Sequence, residues 1–192
     1  MSAYKARVLE ILASVLRGHG PVERALDFGA GDGWFAERLE QGGLARDVVA
    51  VDVMRRARSV HEVMLYDGTH LPFDDRSFDL AYALDALHHC PDPLASLREL
   101  ARCTRWALLL KDHVHQGSAG RAALAVLDEV GNRRFGVASP RNYQARWEWL
   151  PPLADAGFGL RALVHPAACH RGPLGWATNR LQFVALWTRS DA

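Results

Sequence analysis

The stretch Leu26-Asp27-Phe28-Gly29-Ala30-Gly31-Asp32-Gly33 places a carboxylate two residues ahead of a glycine-rich turn. Glycines at 29 and 31 allow a tight backbone turn and let a ligand come close to the main chain. A dinucleotide fingerprint needs a third glycine, but that position is Trp34, whose indole obstructs close helix–strand packing. Asp27 raises a second objection, because a carboxylate at this point repels a pyrophosphate and suits a cationic group. No Gly-Lys-Ser or Gly-Lys-Thr follows, which excludes a nucleoside-triphosphate loop. Asp52 stands 23 residues after Gly29. An acid there accepts hydrogen bonds from a ribose diol. The ligand implied is a nucleoside with a cationic, phosphate-free tail, and S-adenosylmethionine fits that description.

Further along, His88, His89 and the pair Asp112-His113 are candidates for proton transfer. A hydroxyl acceptor gains about 10²–10⁴-fold from a positioned base. A metal reading would use Asp112, His113 and His115 with His88 nearby. These ligand types are suitable, but such a grouping is common by chance in a chain with nine histidines. No metal is expected on this reading. Cys90, Cys103 and Cys169 lack metal-knuckle or redox spacing and read as reduced thiols.

Elements must hold these residues at one edge of a sheet. Apolar residues at helical spacing predict an N-terminal helix within residues 1–20. Short apolar runs predict strands at 25–28, 48–53, 63–66, 78–84 and 106–110. Helices are predicted at 33–40 and 92–102, the latter opened by Asp92 with Pro93 at its first position. A helical stretch at 118–130, a helix at about 145–156 and strands at 159–165 and 181–188 complete the pattern. The last two strands are joined by a Gly/Pro-rich segment with no helical pattern and predict an antiparallel finish. Only about nine residues separate the second and third strands, below the dozen that a helical crossover needs. Alternation of strands and helices predicts an α/β fold with a doubly wound, mostly parallel sheet.

With 192 residues, the chain reads as a single domain, 1–192. It carries 23 basic against 22 acidic residues, which excludes a strongly basic nucleic-acid footprint. No apolar run approaches the roughly 20 residues of a membrane span. Glu10 interrupts the apolar pattern of the N-terminus, which argues against a signal peptide and for a cytoplasmic protein. Residues 114–150 form an insertion too long for an ordinary connection. It is rich in arginines and aromatics, including Arg133, Arg134, Tyr143, Trp147 and Trp149, and reads as a lid over an acceptor.

Taken together, the motifs resemble the class I S-adenosylmethionine-dependent methyltransferases, and most closely the small ubiquinone-biosynthesis-like group. The resemblance rests on LDFGAGDG (26–33), VVAVDV (48–53), YDGTHLPFDDRSFDL (66–80) and ALDALHHCPDPLASLRELAR (83–102), and covers about residues 24–112. It implies a Rossmann-like seven-stranded sheet with one antiparallel strand. It also implies that Asp27, Gly29 and Gly31 hold the methionine end of the cofactor, and that Asp52 takes the ribose. Val53 would pack on the adenine, Asp67 and Gly68 would meet its amino group, and Leu84 and Asp85 would line the methionine moiety. The shortened connection after Val53 is a departure from the family's pattern. The implied activity is methyl transfer to a small-molecule acceptor by in-line displacement, leaving S-adenosylhomocysteine. The competing reading is a non-catalytic protein that binds the same ligand.

Overall fold

The structure is a computed structural model that describes residues 2–18, 20, 22–132 and 140–189. Eight strands and six α-helices alternate through these residues: α1 (Ala3–Leu16), β1 (Arg24–Phe28), α2 (Trp34–Gln41), β2 (Asp47–Asp52), β3 (Val63–Leu65), β4 (Phe78–Leu84), α3 (Pro93–Cys103), β5 (Thr104–His115), α4 (Ser118–Asn132), β6 (Gln144–Ala145), α5 (Leu150–Asp155), β7 (Phe158–Val164), α6 (Gly172–Thr178) and β8 (Gln182–Arg189). Seven strands lie in the order β3-β2-β1-β4-β5-β8-β7, and β6 pairs with β5 off this path. β8 runs antiparallel to both its neighbours, while the pairs β1–β2, β1–β4, β2–β3 and β4–β5 are parallel. This is the α/β sheet with one antiparallel strand expected from the sequence.

Alternation along the central strands builds two cores, one on each face. Phe78, Ala81 and Ala83 of β4 join Leu108 and Leu110 of β5 on the α3 and α5 side, with Leu97, Leu100 and Leu153. Leu80 and Tyr82 join Leu109 on the α1 and α2 side, with Val8, Leu12, Ala36 and Leu39. Asp92 caps α3 as its sequence signal implies, accepting from the Leu94 and Ala95 amides at 3.0 Å. Residues 53–62 between β2 and β3 contain no helix, so that connection is shortened as expected.

Three elements differ from the sequence expectation. β5 continues from Thr104 to His115 instead of stopping at 110, because antiparallel pairing with β8 extends through His113↔Gln182. The helix expected at 145–156 is confined to Leu150–Asp155, with Pro151-Pro152 in its first turn. The Gly/Pro-rich segment before the last strand holds α6, opened by Pro173, which fits the first turn of a helix. Of the lid-like insertion, Arg133, Arg134 and Gly136 lie outside the described residues. No described helix is long and apolar enough to cross a membrane.

Candidate active site

The carboxyl ends of β1, β2, β4 and β5 converge on one edge of the sheet, the usual binding edge of an open α/β fold. Register places Asp27 beside Ala50 on one side and Tyr82 on the other. Its carboxylate is 2% exposed, and Oδ2 has no hydrogen-bond partner. Burial pushes the Asp27 carboxyl up to about 7, more than nearby groups can offset. A buried carboxylate oxygen without a partner is costly. A cationic group arriving at this edge would relieve that cost.

The glycine turn follows directly, and the three glycines do different work. Gly29 has φ +72, and a Cβ there would stand 2.5 Å from the Ala86 Cβ. Gly33 is similarly constrained, with φ +75 and a Cβ that would meet His61 Cβ at 2.6 Å. Gly31 has φ +62 but nothing within 4 Å of its Cβ position. Its open face is the cradle a ligand can enter. Asp52 ties the turn to the sheet: Oδ2 accepts from the Gly31 amide at 2.8 Å and Oδ1 from the Met54 amide at 2.9 Å. Each carboxylate oxygen has a second lone pair available to a diol.

Val53 projects from the end of β2 with 59% of its surface exposed and lies against Gly68, where a Cβ would be 3.1 Å from Val53 Cγ1. Asp67 Oδ1 accepts from the Thr69 and His70 amides at 2.8 and 3.0 Å, and these bonds hold its carboxyl below the usual range. Val53, Asp67 and Gly68 therefore lie together beyond the end of β2, with the shortened β2–β3 connection following Val53.

Leu84 closes β4, and Asp85 follows at φ +54. The Asp85 carboxylate accepts from Tyr4 Oη and Lys111 Nζ. Lys111 is fully buried and also donates to Tyr4 Oη and, at 2.6 Å, to Gln182 Oε1. Lys5 on the same helix as Tyr4 bonds both Asp32 oxygens, at 2.9 and 3.0 Å. The first turn of α1 is thus fastened to the glycine turn and to the end of β4. Sequence reasoning assigned nothing to Tyr4, Lys111 or Gln182. The available signal was a single lysine inside the apolar run of β5.

The predicted histidines form a second group beside this one. Side chains alternate along β5, so Lys111 and His113 reach toward Asp85, while Asp112 reaches His88. His88 Nδ1 lies 2.6 Å from Asp112 Oδ1, and both residues are buried. Burial disfavours the charged His88 ring, but Asp112 outweighs it and pushes the group up to about 10. Burial likewise works against Asp112 ionisation, yet His88 and His113 hold its carboxyl far below the usual range. His113 Nδ1 stands 3.2 Å from the same Asp112 oxygen, and burial lowers its pKa. His89 is lowered by burial and by the neighbouring His88 charge. From the 114–150 insertion, Asp128 and Tyr143 enter this group: Tyr143 Oη donates to Asp128 Oδ2 at 3.0 Å. Trp149 is buried in the core and Trp147 packs edge-on against Phe183, so both serve the sheet's packing.

The chain is similar in sequence and fold to known proteins. Residues 26–106 match the methyltransferase domain family. Malonyl-[acyl-carrier protein] O-methyltransferase of Erwinia pyrifoliae is 37% identical over 149 residues, 73% of this chain and 53% of that protein. The 27-O-demethylrifamycin SV methyltransferase of Amycolatopsis mediterranei is 34% identical over 142 residues, 64% of this chain and 51% of that one. The chain spans about half the length of these curated relatives. Among solved structures, an S-adenosylmethionine-dependent methyltransferase from Mesorhizobium loti superposes with a TM-score of 0.71 at 20% identity, covering 98% of this chain and 100% of that one. Residues 26–106 thus carry a methyltransferase domain, and the chain has the class I methyltransferase fold.

Proposed function

We propose that this chain transfers a methyl group from S-adenosylmethionine to an oxygen of a small-molecule acceptor. The observation that carries the donor assignment is the unpartnered, buried Oδ2 of Asp27 on the strand that leads into the glycine turn, where the Gly31 Cβ position is open. The residues fit the donor: Asp27 and the Gly29–Gly31 backbone would hold its cationic amino-acid end, with Leu84 and Asp85 alongside. Asp52 would take the ribose hydroxyls, and Val53, Asp67 and Gly68 would flank the adenine. When bound, the donor supplies an activated methyl on a sulfonium.

The chain's own task is then alignment and exclusion of water. α1 reaches the β4 end through Tyr4 and the glycine turn through Lys5, and α4 with Tyr143 flanks the histidine group. Among the three candidate histidines, geometry favours His113 for accepting an acceptor's proton. Asp112 engages its Nδ1, which leaves Nε2 as the accepting atom, and its side chain keeps 14% exposure. His88 is committed to Asp112 and works as a positioning group. An oxygen acceptor is supported by relatives named for O-methylation. The test is incubation with methyl-labelled donor and pooled metabolites, preceded by calorimetry with S-adenosylhomocysteine. No heat and no thermal shift at millimolar ligand would remove the reading.

Asp52→Ala is expected to weaken S-adenosylhomocysteine binding by about 1.5–3 kcal/mol, the size of hydrogen bonds to a charged group. It removes both the diol acceptor and the anchor of the Gly31 amide. Asp52→Asn keeps one accepting oxygen and should lose less. Equal affinity in wild type and both variants, read by calorimetry, would make Asp52 a mere anchor of the turn.

Donor binding should also depend on pH through Asp27. The folded-state pKa is about 7 against 3.8 for the unfolded chain. From about pH 4 to 7, the folded state keeps a proton that the unfolded chain has released, so this group makes stability fall as pH rises. A cationic ligand prefers the ionised carboxylate, so its affinity should climb between pH 5.5 and 7, by up to about tenfold per unit. Asp27→Asn should bind more weakly and flatten the climb. A wild-type affinity that stays constant across this window would show that Asp27 is not the contact.

A further inference from the structure

We infer that His88, His89 and Asp128 form a binding site for a divalent transition-metal ion of the zinc or cobalt type. His88 and His89 sit on the single 3-10 turn after β4, and their rings lie 4.1 Å apart at 42°. Asp128 comes from the third turn of α4. Its Oδ1 stands 3.8 Å from His88 Nε2 and 3.7 Å from His89 Nε2. Both separations are too long for hydrogen bonds. Two ligands at about 2.1 Å from one tetrahedral ion stand about 3.4 Å apart, so each of these two separations needs to contract by a few tenths of an ångström to seat an ion. The donor atoms of all three residues lie within 4.8 Å of one another.

The surroundings are built as supports for metal ligands usually are. A ligating imidazole commonly gives its other nitrogen to a carboxylate, which fixes the ring. His88 Nδ1 does this with the buried Asp112 Oδ1 at 2.6 Å. A ligating carboxylate is commonly held through its second oxygen, and Tyr143 Oη does this to Asp128 Oδ2 at 3.0 Å. The alternative grouping of His88, Asp112 and His113 is ruled out as the ion's cage by the same 2.6 Å contact. Those two atoms bond directly and leave no room between them. An ion bound at His88 Nε2 would take the place of the proton that the Asp112-paired ring carries there, so metal uptake should release a proton. Two nitrogens and one carboxylate oxygen suit zinc, cobalt or iron(II) and are a poor match for magnesium or calcium. Three protein ligands leave coordination positions open. Resting on the methyl-transfer reading, those positions would hold the acceptor's oxygen, since His113 and Asp85 border the cluster.

The site differs from the one that sequence spacing offered. His115 takes no part, and Asp128, which spacing does not single out, completes it. The test is titration of the metal-stripped full chain with Co²⁺ alone, followed by its d–d absorption and by competition with Zn²⁺. We expect one tightly bound Co²⁺ per chain with bands of a low-coordinate nitrogen and oxygen site. His89→Gln and Asp128→Asn should each weaken binding by more than about 100-fold, and Tyr143→Phe by about 10–100-fold, the range for partners that orient a ligand. His70→Ala, at an exposed histidine, should change nothing. Wild-type protein that binds no stoichiometric Co²⁺ would overturn the inference, as would folded His89→Gln and Tyr143→Phe proteins with unchanged affinity and spectrum. Should Asp128→Asn fail to fold, the His89→Gln result decides. Calorimetry with S-adenosylhomocysteine on the same samples keeps the two readings apart. Cobalt binding without S-adenosylhomocysteine binding would leave the metal site standing and remove the methyl-transfer reading, and the reverse result would do the opposite.

Discussion

Asp85→Ala should destabilise the protein by about 3–5 kcal/mol, the cost of leaving one member of a buried ion pair alone. Lys111 is fully buried, and its ammonium is held by Asp85, Tyr4 Oη and Gln182 Oε1. Removing Asp85 leaves a buried cation with only neutral oxygens around it. The converse change is milder. Lys111→Met removes the buried charge and keeps most of the volume, while the Asp85 side chain is 27% exposed and can take up water. That variant should lose clearly less stability than Asp85→Ala, even though both break the same pair. Tyr4 bridges the two charges, so Asp85→Ala should also loosen α1 from the end of β4 and raise hydrogen exchange in its first turns. Urea denaturation of the two variants measures the asymmetry. Equal losses would mean that the cost lies in the pair's mutual attraction and not in the desolvated ammonium.

This network shows where sequence reading stops. The glycine turn and the strands that end near Asp27 and Asp52 were legible because their signals are local: residues within one strand–turn–helix unit, or at the ends of adjacent strands, carry the pattern. The cap of α3 at Asp92 was legible for the same reason. Tyr4 and Asp85 are 81 residues apart, and Lys111 and Gln182 are 71 apart. Nothing in spacing brings such residues together until the sheet order is known. Asp128 is hidden differently. It sits in the helical stretch 118–130, where nothing in the spacing links it to the histidines, yet α4 lies against β5 and turns that position toward His88 and His89. β5 itself was read short because Lys111, Asp112 and His113 end the apolar run. Its extension is set by pairing with β8, a long-range event, and by ion pairs that make buried polar residues tolerable. The helix α6 was missed because glycine and proline dominate its segment, whereas Pro173 in the first turn is compatible with helix.

Gly29→Ala should cost the fold several kcal/mol, whereas Gly31→Ala, two residues away in the same turn, should mainly cost ligand binding. Both glycines have positive φ, at +72 and +62, and an L-residue there is strained by about 1–2 kcal/mol. The surroundings separate them. A Cβ on Gly29 would meet Ala86 Cβ at 2.5 Å and Ala86 Cα at 3.7 Å. The methyl has no flexible tail to displace, so the β1–α2 turn must move away from the β4 end, and overpacking of this kind adds about 1–3 kcal/mol. The same shift would strain the Gly29 and Ala30 amides, which donate to the Val51 carbonyl at 2.9 and 3.0 Å. At Gly31, the added methyl meets no atom within 4 Å, so the fold loses little beyond the φ strain. It would instead occupy the open face through which a ligand reaches the backbone, beside the Asp52 carboxylate that holds the Gly31 amide. Thermal unfolding and calorimetry with S-adenosylhomocysteine on both variants resolve the two effects. Gly29→Ala should melt well below wild type, and Gly31→Ala should melt near it while binding at least about tenfold more weakly, one step of 1.4 kcal/mol. A Gly31→Ala protein with wild-type affinity would move the donor site away from the turn, and a Gly29→Ala protein of wild-type stability would mean that the turn and Ala86 are not in the contact described.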